Sequence, residues 1–170
     1  MMLTRRTLAT SLLAAAGLPR PTRAEELLKP AGRVILTVTG KIGVFNADAA
    51  AQFDRPMIES LGWHGFTTST PWYDGPVRFD GVKMSTLMQT LRATGDTVVA
   101  TALNDYETRI PLSDFTTFDV ILALKRNGEY MAVRDKGPLF IVYPFDTDTN
   151  LQSQKYYGRC AWQLARLAVT

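Results

Sequence analysis

Apolar positions along this chain alternate or cluster over short spans, and one stretch keeps a helical period. Residues 34–39 (VILTVT) form a compact β-branched run closed by Gly40 and Gly43, the pattern of a strand followed by a turn. Asn46 stands where it would cap a helix running through Ala49, Ala50 and Phe53. Asp54 and Pro56 then open a second short helix that Gly62 closes. Residues 66–70 (FTTST) favour an extended backbone, and Pro71 keeps Thr70 out of a helix. Met84, Leu87, Met88 and Leu91 have helical spacing, with Gly95 as the stop. Strands are expected at 97–103, 108–111 and 119–125. Asn127-Gly128 is a hairpin turn leading into 130–133, and 139–143 and 161–169 supply the last strands. Many short strands with few helices predict an α+β fold, with mixed β-sheets around one core.

The first residues follow a different pattern. Arg5 and Arg6 precede an apolar stretch from Leu8 to Leu18, and Thr22 and Ala24 place small side chains where a signal peptidase reads. Residues 1–24 are therefore expected to be an export signal, and residues 25–170 one mature domain in the periplasm. The apolar stretch is well short of the ~20 residues needed to span a bilayer as a helix, so no direct membrane insertion is expected. Thr4-Arg5-Arg6-Thr7-Leu8 also has the look of a twin-arginine signal, and ordinary secretion remains an equal alternative.

Removing such a signal changes the charge balance. The chain has 19 basic and 16 acidic side chains, and Arg5, Arg6, Arg20 and Arg23 leave with the signal. The remainder is close to neutral and holds no long basic run, which argues against nucleic acid as a partner. The chain has one cysteine, Cys160, and one histidine, His64, so neither an internal disulfide nor a four-ligand thiolate or imidazole metal cage can form.

Several strings then occur in a fixed order: Thr67-Thr68-Ser69-Thr70-Pro71-Trp72, Phe79-Asp80-Gly81-Val82, Ala102-Leu103-Asn104-Asp105-Tyr106, Arg134-Asp135-Lys136-Gly137-Pro138-Leu139, Tyr143-Pro144 and Trp162-Gln163-Leu164. Together they resemble the molybdopterin-binding domain of the sulfite-oxidase superfamily, specifically its short exported members, over nearly all of residues 33–169. In the enzymes of that superfamily a cysteine in the segment matching Phe66 to Trp72 ligates molybdenum. Here the segment offers only threonines and a serine, and a neutral hydroxyl does not replace a soft, anionic thiolate. The chain is most similar to periplasmic pterin-binding regulators of that superfamily. The resemblance implies a metal-free, non-catalytic protein that binds a reduced pterin. It also implies that occupancy is reported to the periplasmic part of a membrane signalling protein, a cyclic di-GMP enzyme controlling biofilm formation. The alternative it implies is a molybdopterin-dependent oxidoreductase of the sulfite oxidase type.

A pterin is flat, with an edge of adjacent N–H donors that one carboxylate can accept side by side. Asp105, after a strand end beside Tyr106, is the first candidate for that carboxylate; an ordinary turn aspartate is the alternative. Trp72 sits in a polar loop and is the candidate stacking face. Because it lies outside any apolar run, its replacement is expected to leave the fold intact. Arg134 and Lys136 interrupt an apolar strand pair and read as pocket-lining charges, with Asp135 the one to set aside. Tyr143 could donate its hydroxyl or serve as a core wall, and Thr70 could bond the ligand near the missing cysteine. Cys160 reads as a packing residue and His64 as a surface or structural one. No nucleophile and base stand paired in the sequence.

Overall fold

A computed structural model describes residues 27–170, so the expected export signal lies outside the described residues. The chain runs β1 (Leu36–Gly40), β2 (Ala50–Phe53), α1 (Arg55–Glu59), β3 (His64–Thr70), β4 (Tyr73–Lys83), α2 (Met84–Thr90), β5 (Thr97–Ala102) and β6 (Glu107–Pro111). It continues through α3 (Asp114–Thr117), β7 (Ile121–Arg126), β8 (Glu129–Tyr130), β9 (Phe140–Val142), α4 (Gln154–Tyr157) and β10 (Leu164–Val169), with single 3-10 turns at Val133–Asp135 and Thr149–Leu151. The expected α+β class is what forms.

The strands make two sheets. One has the order β2-β1-β10-β5-β6, and the other the order β3-β4-β7-β8 with β9 on β7. β1 and β10 run parallel in register Thr37 with Arg166 through Gly40 with Val169, while the other pairs are antiparallel. Alternate side chains of both sheets point inward, and Leu36, Val38, Val98, Leu167, Phe79, Leu122 and Phe140 join one continuous apolar core. β7 bulges at Leu124, opposite Asp80 and Gly81 of β4, where a Cβ on Gly81 would stand 2.0 Å from the Leu122 carbonyl oxygen. Only glycine lets β7 approach there. Among the described residues no helix is long and apolar enough to cross a membrane.

Two sequence expectations are corrected, and one strand was missed. Asn46 caps no helix: residues 50–53 are the edge strand β2, paired with β1. Its side chain donates to the Leu28 and Gln52 carbonyls at 2.7 and 2.8 Å and accepts from Gln52 N at 2.7 Å, fixing the turn in which Ala49 takes φ +50°. Asparagine here imitates a strand neighbour, the competition that makes it a poor predictor of helix starts. The strand expected at 130–133 is only Glu129–Tyr130, because the chain turns at Val133–Asp135. The long strand β4 was not foreseen at all.

Two carboxylates tie the ends of elements together. Asp54 caps α1 through Met57 N at 3.0 Å and accepts from Ala31 N and Gly32 N at 2.9 and 2.8 Å. The Gly32 and Met57 amides hold its carboxyl below the ordinary value of 3.8. Asp119 takes Lys83 Nζ at 2.7 Å and the His64 ring. Partial burial raises its pKa, but the bonds from Lys83 and His64 outweigh that and leave it below 3.8. Because both are depressed in the fold, their stabilisation is fully present above 3.8 and drains away as pH falls through the folded-state values. Thermal melts are therefore expected to drop steeply below about pH 4, and less steeply for Asp119→Asn. Equal pH profiles for the two proteins would refute the Asp119 part.

Candidate functional site

Trp72 is carried on the turn between β3 and β4, where its backbone N–H donates to Thr70 Oγ1 at 3.4 Å. Its ring meets four others edge-on: Phe140 and Trp162 at 5.6 Å, Tyr157 at 6.1 Å and Phe145 at 6.2 Å between centroids. Edge contacts of this kind use the positive rim of one ring against the negative face of another. Trp72, Trp162, Tyr157 and Tyr106, with Gln154 and Cys160, surround a cleft of about 290 Å³. That is near the small end of the range for small-molecule sites, roughly 300–1,000 Å³.

Distant elements bring those walls together. Thr108 Oγ1 of β6 donates to the Gly158 carbonyl at 2.6 Å and pins the end of α4 beside Tyr106. Asn104 Oδ1 accepts from Tyr106 N at 3.2 Å and shapes the turn after β5. Lys136, in the left-handed region at φ +72°, sets its ammonium 4.5 Å from the Trp162 ring centroid and 5.8 Å from that of Tyr73. The Tyr73 hydroxyl, next in sequence to Trp72, is buried with no hydrogen-bond partner among the described residues.

Behind the cleft lies a buried polar knot. Tyr143 Oη donates to Asp114 Oδ2 at 2.7 Å, and Arg159 Nη1 donates to the same oxygen at 2.6 Å. Burial, then the Asp114 carboxylate, pushes the Tyr143 phenol far above its ordinary range. The expectation that Tyr143 offers its hydroxyl to a ligand is thus corrected: the side chain is fully buried and its proton is committed to Asp114.

Cys160 forms part of the cleft floor but is 2 % exposed, its Sγ 3.6 Å from the Tyr156 carbonyl. Burial pushes its thiol well above the ordinary range, so it stays protonated and a poor nucleophile or ligand. Cys160→Ser keeps a donor of similar size and is expected to cost about 1 kcal/mol. Urea unfolding measures this, and a loss several times larger would show a further role for the sulfur.

The sequence candidates fall into distinct places. Trp72 and Tyr106 share the cleft, Thr70 stands at its edge, and Lys136 backs Trp162. Asp105, in the left-handed region at φ +62°, points to Arg166 Nη2 at 2.7 Å, and its side chain is 81 % exposed. Arg134 is almost fully exposed, 3.6 Å from Asp135. Tyr157 and Gln154 were not foreseen, since α4 lies in a loop-like run without helical period. Trp162 stood in a quoted string without being assigned a role.

The model of the oxidoreductase molybdopterin-binding domain matches residues 50–148. The chain belongs to that family. No curated protein matches it. The family's cofactor is a pterin that carries a metal, and the residues present suit its two halves unequally. Aromatic walls suit a flat ring. The metal finds no thiolate. Thr68 is fully buried and bonds to Ser69 O and Asp146 N at 3.3 and 3.1 Å, while Ser69 N donates to Asp146 Oδ2 at 2.7 Å. The segment that would carry the ligating cysteine is instead used to fasten β3 to the 144–147 turn.

Proposed function

We propose that this protein binds a reduced pterin without metal in the Trp72–Trp162 cleft and, after export, reports occupancy to the periplasmic part of a membrane signalling protein. The observation that carries the reading is the pairing of an aromatic cleft with a neighbouring strand end that offers hydroxyls and no thiolate. Stacking and shape would supply most of the affinity, with Gln154 and the tyrosine hydroxyls at the ring edge. Export rests on the charged, apolar and small-residue pattern of residues 1–24. A cyclic di-GMP enzyme as the partner rests on the resemblance of the quoted strings to pterin-binding regulators.

The second reading, a molybdopterin-dependent oxidoreductase, draws on one observation, a cysteine in the cleft floor. Metal analysis and fluorescence of protein purified from periplasm separate the two. Pterin fluorescence without molybdenum, with calorimetric binding of dihydrobiopterin, is the expected result. Stoichiometric molybdenum that is lost in Cys160→Ser would overturn it.

A further inference from the structure

On the far side of Gln163 from the aromatic cleft lies a second, larger groove of about 610 Å³. Val34, Leu103 and Val133 line it, exposed by 36, 51 and 51 %, an unusual concentration of large apolar side chains facing water. Arg33 and Arg166 stand at its rim. The acidic groups nearby are already engaged. Asp54 is buried and accepts three backbone N–H groups, and Asp105 is turned to Arg166. Among the described residues Arg33 makes no ion pair. Arg166 is matched by Asp105, but a neutral or basic occupant would leave Arg33 uncompensated, whereas an acidic one carrying an apolar side chain satisfies both rim and floor.

The groove and the cleft share their supports. Gln163, in the left-handed region at φ +52°, sits between Trp162 of the cleft and Leu164 of the groove. Its N–H donates to Lys136 O at 2.9 Å, its carbonyl accepts from Leu103 N at 2.9 Å, and its side chain donates to Val133 O at 2.8 Å. Each of the two loops it holds serves both sites: Leu103 and Tyr106 on one, Val133 and Lys136 on the other. Gln163 thereby ties the loops that carry Tyr106 and Lys136 to Leu103 and Val133.

We propose that this groove docks an acidic segment of a partner protein that anchors an apolar side chain between Leu103 and Val133, and that its fit depends on occupancy of the cleft. The second half rests on the reading of the cleft as a ligand site; the first does not.

The test is selection of random phage-displayed peptides on the immobilised full chain, followed by anisotropy titration of the selected peptides. Selected sequences should be enriched in Asp and Glu beside Leu, Ile or Phe. Arg33→Glu and Val133→Asp, both exposed and expected to keep the parent fold by circular dichroism, should each weaken binding about tenfold or more. Adding dihydrobiopterin should change peptide affinity by about threefold or more, a coupling of the usual allosteric size. Peptides without acidic enrichment, or equally bound by both variants, overturn the docking site. A dimer in sedimentation that Arg33→Glu dissolves would assign the groove to a second copy and overturn it too. Unchanged peptide affinity with dihydrobiopterin bound overturns the coupling. Failure of dihydrobiopterin to bind in calorimetry sinks the reading of the cleft, while the two variants still decide the groove.

Discussion

Asp114→Ala is expected to lower the free energy of unfolding by about 3–5 kcal/mol, the largest effect of any single substitution considered. The substitution strips one acceptor from two donors at once. Tyr143 is left with a buried phenol that has no partner, which by itself costs about 1–3 kcal/mol. Arg159 is left with a mostly buried guanidinium, its side chain only 17 % exposed. Asp114→Asn keeps an acceptor for the phenol but loses the charge, so it should fall between the parent and Asp114→Ala. Tyr143→Phe removes donor and demand together and should cost only about 1 kcal/mol. Urea denaturation of the four proteins gives this order. An Asp114→Ala protein within 1 kcal/mol of the parent would show that the knot contributes little.

Trp72→Ala carries the second largest effect, and it strikes fold and site together. Full truncation of a buried tryptophan costs about 3–5 kcal/mol, and Trp72 is half-buried, so about 2–3 kcal/mol of stability is expected to go. This reverses the expectation from its polar loop, because the ring is packed against Phe140, Phe145, Tyr157 and Trp162. Under conditions where the variant stays folded, dihydrobiopterin binding should be nearly abolished. Trp72→Phe should keep the edge contacts in part and lose about 1 kcal/mol of affinity. Binding that survives Trp72→Ala undiminished would move the ligand out of this cleft.

What the sequence discloses here depends on how local the cause is. The hairpin at Asn127-Gly128, the helix at Met84–Thr90 and the cap at Asp54 are set by neighbours in sequence, and they form where expected. Asn46 depends on Leu28 and Gln52, so its helix-start signal misleads. β4 was hidden by Asp74, Gly75 and Pro76 at its start, although Val77 and Phe79 alternate with Arg78 and Asp80 in the way a half-buried strand does. The site shows the same division. Trp72 is conspicuous in its own loop, whereas Tyr157 and Trp162 become site residues only because α4 and the start of β10 fold back onto it. Asp105 and Tyr106 are adjacent in sequence, yet the left-handed turn at Asp105 sends one to the groove rim and the other to the cleft.

The place of β10 within its sheet has a kinetic consequence. β10, the last of the described strands, is not an edge but a central member, hydrogen-bonded on one side to β1 and on the other to β5. Gly40 pairs with Val169, so the sheet closes a loop of nearly the whole described chain in a single step. Contacts so remote in sequence slow folding to the millisecond-to-second regime, and this sheet's centre cannot close until β10 is available. Until then β1 and β5 present unpaired edges of β-branched residues, the kind of surface on which chains add to one another. Any truncation upstream of Leu164 makes that exposed interval permanent.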